Sequence, residues 1–153
     1  FVLHGLDFCE VQIFFSNTNT FKQSNACLYA SPAYLHKIAY PENPSALDDA
    51  DFIGFVDNSA YLSGLKETGI KLSEKNFPYT TQSHITHWSL VKEGAGIGVM
   101  PERIADKEPL VQKLERIPPF PIDTWVVSHR ELKTSKRIRI VFDFLVEELA
   151  LIL

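Results

Sequence analysis

The sequence predicts an α/β fold, and one stretch, Phe77 to Asp106, carries most of that expectation. Ile85, Trp88 and Val91 recur at helical spacing, so one face of a helix there is expected to be buried. Lys92, Glu93 and Gly94 read as the end of that helix, with Gly94 free to take the left-handed position beyond the last turn. Ile97 to Met100 is short and apolar, as a buried strand is, and Pro101 suits the first position of a further helix. Together with a strand after Phe77 this makes a strand–helix–strand unit. The amino end of its helix, near Thr81 to Ser83, then falls at the carboxyl edge of a parallel sheet, where open α/β folds bind small ligands.

Composition agrees with an ordinary folded domain. The 153 residues suffice for one domain, or for two small lobes sharing a hinge. Hydrophobic residues at 45% and charged residues at 22% are values of a globular chain. No apolar run is long enough to span a bilayer, so no membrane partner is expected. The formal charge of −4 makes the chain as a whole a poor ligand for polyanions. Any DNA contact is therefore expected from another part of the protein. Cys9 and Cys27 stand without a CxxC or Cys/His spacing, which excludes a zinc motif and favours two reduced thiols in the cytoplasm. Phe1 is not a natural start and no leader follows it, so the beginning is expected upstream.

Taken in order, Ser16 to Thr20 is a polar loop and Ala26 to Ala30 a strand. Ser31 can cap the short helix that follows, with Pro32 at its first position. Tyr40 to Pro44 is a loop, Leu47 anchors a turn, and Phe52 to Val56 is a buried strand. Asn58 to Thr68 is an amphipathic helix closed by Gly69, and Ile70 to Asn76 an irregular connection. Leu110 to Arg116 alternates as a strand does. Pro118, Pro119 and Pro121 then break regular structure before a strand at Thr124 to Ser128. Ser135 starts the last helix, whose apolar stripe is Ile138, Phe142, Leu145 and Leu149, widened by Val141 and Phe144.

Several residue groups invite chemistry. His84 and His87, one helical turn apart, lack a third ligand at a telling spacing, so no metal is expected. Gly94, Gly96 and Gly98 follow a helix and enter a strand, the reverse of a dinucleotide fingerprint; they cap and pack, and no cofactor is expected. Asp48, Asp49 and Asp51 lack the glycine and distal glutamate of a calcium loop and read as a solvated turn. Lys133, Lys136, Arg137 and Arg139 open the last helix as a solvated basic face or as ion-pair partners for another subunit. Ser31, Ser83 and Ser89 have no nucleophile elbow, and no catalytic residue is expected. Thr80, Thr81, Gln82 and Ser83, followed by His84, offer hydroxyls, an amide and free N–H groups at a helix start. That combination favours a carboxylate or other small organic anion, although Thr81 or Ser83 acting only as a cap fits equally.

Three segments resemble one family. Val91-Lys-Glu-Gly-Ala-Gly-Ile-Gly-Val-Met-Pro101 is similar to the GxGIxxxP segment of the effector-binding domain of LysR-type transcriptional regulators. Leu28-Tyr-Ala-Ser-Pro-Ala-Tyr-Leu35 resembles the ASPAYL segment, and Trp125-Val-Val-Ser-His-Arg130 with the Phe142-Asp-Phe-Leu145 helix resembles the C-terminal strand and helix. His4-Gly5-Leu6-Asp7 resembles the xGxLD turn, with Glu10 and Gln12 departing from the pattern. The resemblance implies a type II periplasmic-binding-protein-like architecture, two lobes around a cleft, with the first lobe incomplete. Residues 1–27 and 122–153 would belong to the first lobe and 28–121 to the second, with crossings near Asn25–Ala30 and Pro118–Asp123. It also implies a small-molecule effector in the cleft, DNA binding only through a winged helix-turn-helix outside this chain, and a homo-oligomer, dimer or tetramer. A transport solute-binding protein of the same fold is the alternative.

Overall fold

A computed structural model of the chain describes residues 21–125 and 135–152. The expectations for Phe1 to Thr20, including the His4-Gly5-Leu6-Asp7 turn and the second cysteine, Cys9, lie outside the described residues, as does the strand beyond Trp125.

Strand β1, Phe21–Ala30, is the axis of the molecule. It pairs antiparallel on one side with β4, Gly98–Pro101, in the register Ala26↔Pro101 to Tyr29↔Gly98. On the other side it pairs antiparallel with β6, Phe120–Trp125, from Phe21↔Trp125 to Ala26↔Phe120, and then with the short β5, Gln112–Lys113. A strand flanked on both sides and covered on both faces buries both sets of its alternating side chains. Ala26, Leu28 and Ala30 enter the larger core with Leu35, Leu47, Phe52, Leu65 and Ile97. Cys27 and Tyr29, pointing the other way, enter a smaller core with Ile53, Val91, Ala105 and Val111. Each fully buried leucine or phenylalanine contributes roughly 1.5–3 kcal/mol of transfer free energy. Exchanging the two faces by a one-residue slip would disrupt both cores, and that fixes the register.

A second, parallel pair is formed by β2, Ile53–Phe55, and β3, Tyr79–Thr81. Phe52 makes a parallel bridge to Ile97, where the Ile53 N–H donates to the Ile97 carbonyl at 2.8 Å. Parallel order around β2 is therefore present, but it ends at Ile97. The expected strand Ile97 to Met100 turns at once into β4, an antiparallel partner of β1, so the anticipated parallel sheet is only two strands and one bridge wide.

The helices follow local signals closely. In α1, Pro32–Lys37, Ser31 caps by accepting from the Tyr34 N–H, and Pro32 opens the first turn. The loop after it leads into a 3-10 turn, Pro44–Leu47, with Leu47 fully buried. Helix α2, Ser59–Glu67, buries Tyr61 and Leu65 and stops before Gly69, whose φ is 87°. Helix α3, His84–Lys92, ends at Glu93, and Gly94 takes φ 80°. The connection from Ile70 closes with a 3-10 turn, Glu74–Asn76.

Other expectations need correcting. Ile85 is 81% exposed, and the buried face of α3 is His87 and Val91, with Trp88 at its edge. Pro101 is not the first helical residue: it ends β4 and sits at the N-cap of α4, Glu102–Ala105, with extended ψ of 131°. Val56 is exposed, so the strand from Phe52 stops at Phe55. Regular pairing in the Leu110 to Arg116 stretch is confined to β5. The prolines do not delay the next strand, because β6 begins at Phe120 and includes Pro121 opposite Asn25. A proline near the start of a strand, unpaired on its N–H side, is compatible with such a ladder. In α5, Lys136–Ile152, Ile138, Phe142 and Leu149 are half-buried, whereas Val141, Phe144 and Leu145 of the expected stripe are exposed among the described residues.

Candidate functional site

Because β2 and β3 run parallel in the register Phe55↔Thr81, their carboxyl ends lie side by side. Residues 56–58 leave one end and residues 82–84 leave the other, directly into α3. Asn58 closes the β2 end by accepting the Phe55 N–H on Oδ1 at 2.7 Å. On the β3 end, Thr81 Oγ1 accepts the Ser83 N–H at 3.1 Å, and Ser83 Oγ accepts the Thr86 N–H at 3.3 Å. Both hydroxyls therefore shape the turn and cap the start of α3. Thr80, Gln82 and His84 are exposed beside them, and Val56 and Ile85 add apolar surface. Asp57 is the carboxylate of this edge; its bonds from Ser59 hold it below the usual carboxylate range.

The structure brings Thr80, Thr81, Gln82, Ser83 and His84 together as one exposed turn, and it divides the two histidines. His84 is exposed, its ring 4.8 Å from that of Phe55, and desolvation pulls its pKa down. His87 is buried at 1% exposure and stacks on Phe55, with centroids 4.8 Å apart and planes 10° apart. Among the described residues no group of three or more His, Cys, Asp or Glu side chains is placed to hold a metal. Burial pushes the Cys27 thiol up to about 11, where it is a core side chain rather than a nucleophile.

The residues expected to be structural meet one another. A Cβ on Gly94 would lie 2.9 Å from Ser31 Oγ, so the end of α3 and the cap of α1 are in contact. A Cβ on Gly96 would lie 2.7 Å from the Asp51 carbonyl, and that oxygen accepts the Ile97 N–H. Gly96 is thus required for the close backbone approach that joins β4 to β2.

Phe55, Asn58 and His87 support the turn, a role that sequence reasoning does not assign them. Asn58 carries a signal, an amide four residues before Leu62 at a helix start, but its bond goes back to the strand instead. Phe55 and His87 are joined by a long-range contact that no local pattern encodes.

Residues 19–150 match the family model described as the LysR substrate binding domain. No curated protein matches the chain in sequence. Among solved structures, the regulatory domain of CrgA, a LysR-type transcriptional regulator from Neisseria meningitidis, is 22% identical with a TM-score of 0.59, covering 90% of this chain and 73% of that one. A longer CrgA structure is 25% identical with a TM-score of 0.63, covering 88% and 49%. The full-length Vibrio cholerae virulence activator AphB is 15% identical with a TM-score of 0.52, covering 90% and 50%. The chain thus spans about half the length of the two longer regulators. Its mixed antiparallel and parallel sheets are consistent with the type II periplasmic-binding-protein-like fold of that domain, and with a family model matched over most of its length the chain belongs to the LysR substrate-binding domain family.

Proposed function

We propose that this chain is the effector-sensing part of a LysR-type transcriptional regulator, and that it binds a small metabolite at the turn Thr80 to His84. The family match over residues 19–150 is the observation that carries this reading. In it, residues 28–121 form one lobe and residues 1–27 with 122–153 part of the other, and the cleft lies between them. DNA is bound by a domain outside this chain, the protein works in the cytoplasm as a dimer or tetramer, and it catalyses no reaction. Effector binding shifts the population of subunit arrangements rather than making or breaking bonds.

The geometry of the turn supports an organic anion. The capping hydroxyls take the Ser83 and Thr86 N–H groups and leave those of His84 and Ile85, with the Gln82 amide, for a ligand, and the helix dipole adds to their attraction for a carboxylate. Asp57 repels an anion at the β2 end, so the carboxylate belongs on the α3 side. Thermal-shift screening of metabolites against the full-length protein identifies the effector, because a ligand stabilises the state it binds. Calorimetry with that effector then tests the turn. Thr81→Ala and Gln82→Ala are expected to weaken binding with the fold intact, and unchanged affinity in both moves the site elsewhere.

A further inference from the structure

We infer that His87 is an acid-released latch, holding α3 against β2 and β4 only while its ring is neutral. The His87 ring is buried and packed between β2 and β4. Phe55 of β2 stacks on it at 4.8 Å, and Gly98 of β4 comes so close that a Cβ there would lie 2.7 Å from Cε1 and 3.1 Å from Nε2. The ring hydrogen-bonds the backbone of Ile53, whose N–H is already given to Ile97, so the Ile53 carbonyl is the acceptor. Among the described residues Nε2 has no hydrogen-bond partner, which assigns that bond, and the proton, to Nδ1.

A second proton on Nε2 would create a buried cation with an unsatisfied donor facing Gly98. Among the described residues, the groups facing the ring give it no counter-charge. β2 presents the Ile53 carbonyl and the Phe55 ring, β4 presents Gly98, and α3 itself presents Val91 and His84. His84 is the titratable one, and as a fellow cation it opposes protonation. Burial first, and His84 second, push His87 down to about 4. Above about pH 4 the ring therefore takes its proton by leaving the clamp, and leaving it frees the helix that begins at the turn Thr80 to His84. Since the free ring titrates near its ordinary value, the opened form of α3 gains up to tenfold per pH unit as pH falls from about 6.5 towards 4, and is insensitive to pH above that window.

Hydrogen exchange of the full chain between pH 7.5 and 5, corrected for intrinsic rates, tests this without any effector. The expected result is an opening equilibrium for residues 84–92 that rises about 15-fold between pH 6.5 and 5, while the β1 and β4 amides hold their protection. The rise is expected to vanish in His87→Phe and to persist in His84→Ala. An equal rise in β1 and β4, no rise in α3, or an undiminished rise in His87→Phe would each overturn the latch. Should His87→Phe fail to fold, the wild-type ring decides by NMR: a His87 that titrates near pH 6.5 with α3 still protected also overturns it. Neither arm depends on effector binding, so failure of the proposed effector site leaves this result standing.

Discussion

The Tyr34 hydroxyl bonds the backbone of Asp51 in both directions, accepting its N–H at 2.7 Å and donating to its carbonyl at 3.2 Å. Tyr34 lies on α1 and Asp51 precedes β2, so one phenol ties the first helix to the parallel strand pair. The carbonyl keeps a second partner, the Ile97 N–H, but among the described residues the Asp51 N–H has only the phenol. Tyr34→Phe is expected to destabilise by roughly 1–3 kcal/mol, the cost of a partly buried donor left unpaired. Urea unfolding measures it, and an unchanged midpoint would show that solvent replaces the hydroxyl.

Two glycines are expected to respond in opposite directions. At Gly94, φ is 80°, and a side chain would also press on the Ser31 hydroxyl that caps α1. Gly94→Val should therefore cost roughly 1–2 kcal/mol. Gly64 lies inside α2, and a Cβ added there would meet nothing within 4 Å. Gly64→Ala should stabilise by about 0.5–1 kcal/mol, because alanine loses less backbone freedom on folding. Melting temperatures that move together, rather than apart, would contradict this pair.

Asn76 is buried with its whole amide engaged. Nδ2 donates to the carbonyls of Asp48 and Ala50 at 2.9 and 3.1 Å, while Oδ1 accepts the Ser73 N–H at 3.0 Å. Asn76→Ala leaves several backbone groups unpaired at once and is expected to cost roughly 2–4 kcal/mol. Ser73→Ala loses the 3.3 Å hydroxyl contact but not the backbone bond to Oδ1, and so should cost much less. Denaturant titration of the two variants checks the order.

The chain on its own is expected to show no sequence-specific DNA binding, since its formal charge is −4 and no segment reads as a base-reading helix. A gel shift at physiological salt that prefers one sequence would refute this.

Local chemistry is legible in the sequence wherever one residue type has one conformational use. Ser31-Pro32 marks the start of α1, and Gly69 and Gly94 mark the ends of α2 and α3. The phase of α3 is not legible, because His87 counts as polar in a periodicity although its ring is buried against Phe55 and Ile85 is not. Pro121 misleads because a proline marks a break only when its missing N–H is needed, and here it stands near the start of β6, while Pro101, which fits a helix start, ends β4 one residue before α4. The turn Thr80 to His84 is legible as a helix start. Its setting beside the β2 end is not, because pairing of strands about 25 residues apart is decided by packing rather than by local pattern.

The pairing of β1 with β6 has a mechanical meaning. The strands that begin at Phe21 and end at Trp125 are hydrogen-bonded to each other over Phe21–Ala26 and Phe120–Trp125. Such a ribbon yields to bending across its face but resists shear between its strands, because shear breaks the ladder. Displacement of one connection must carry the other with it. Movement at this ribbon is therefore a flexure about one axis and not a free swivel.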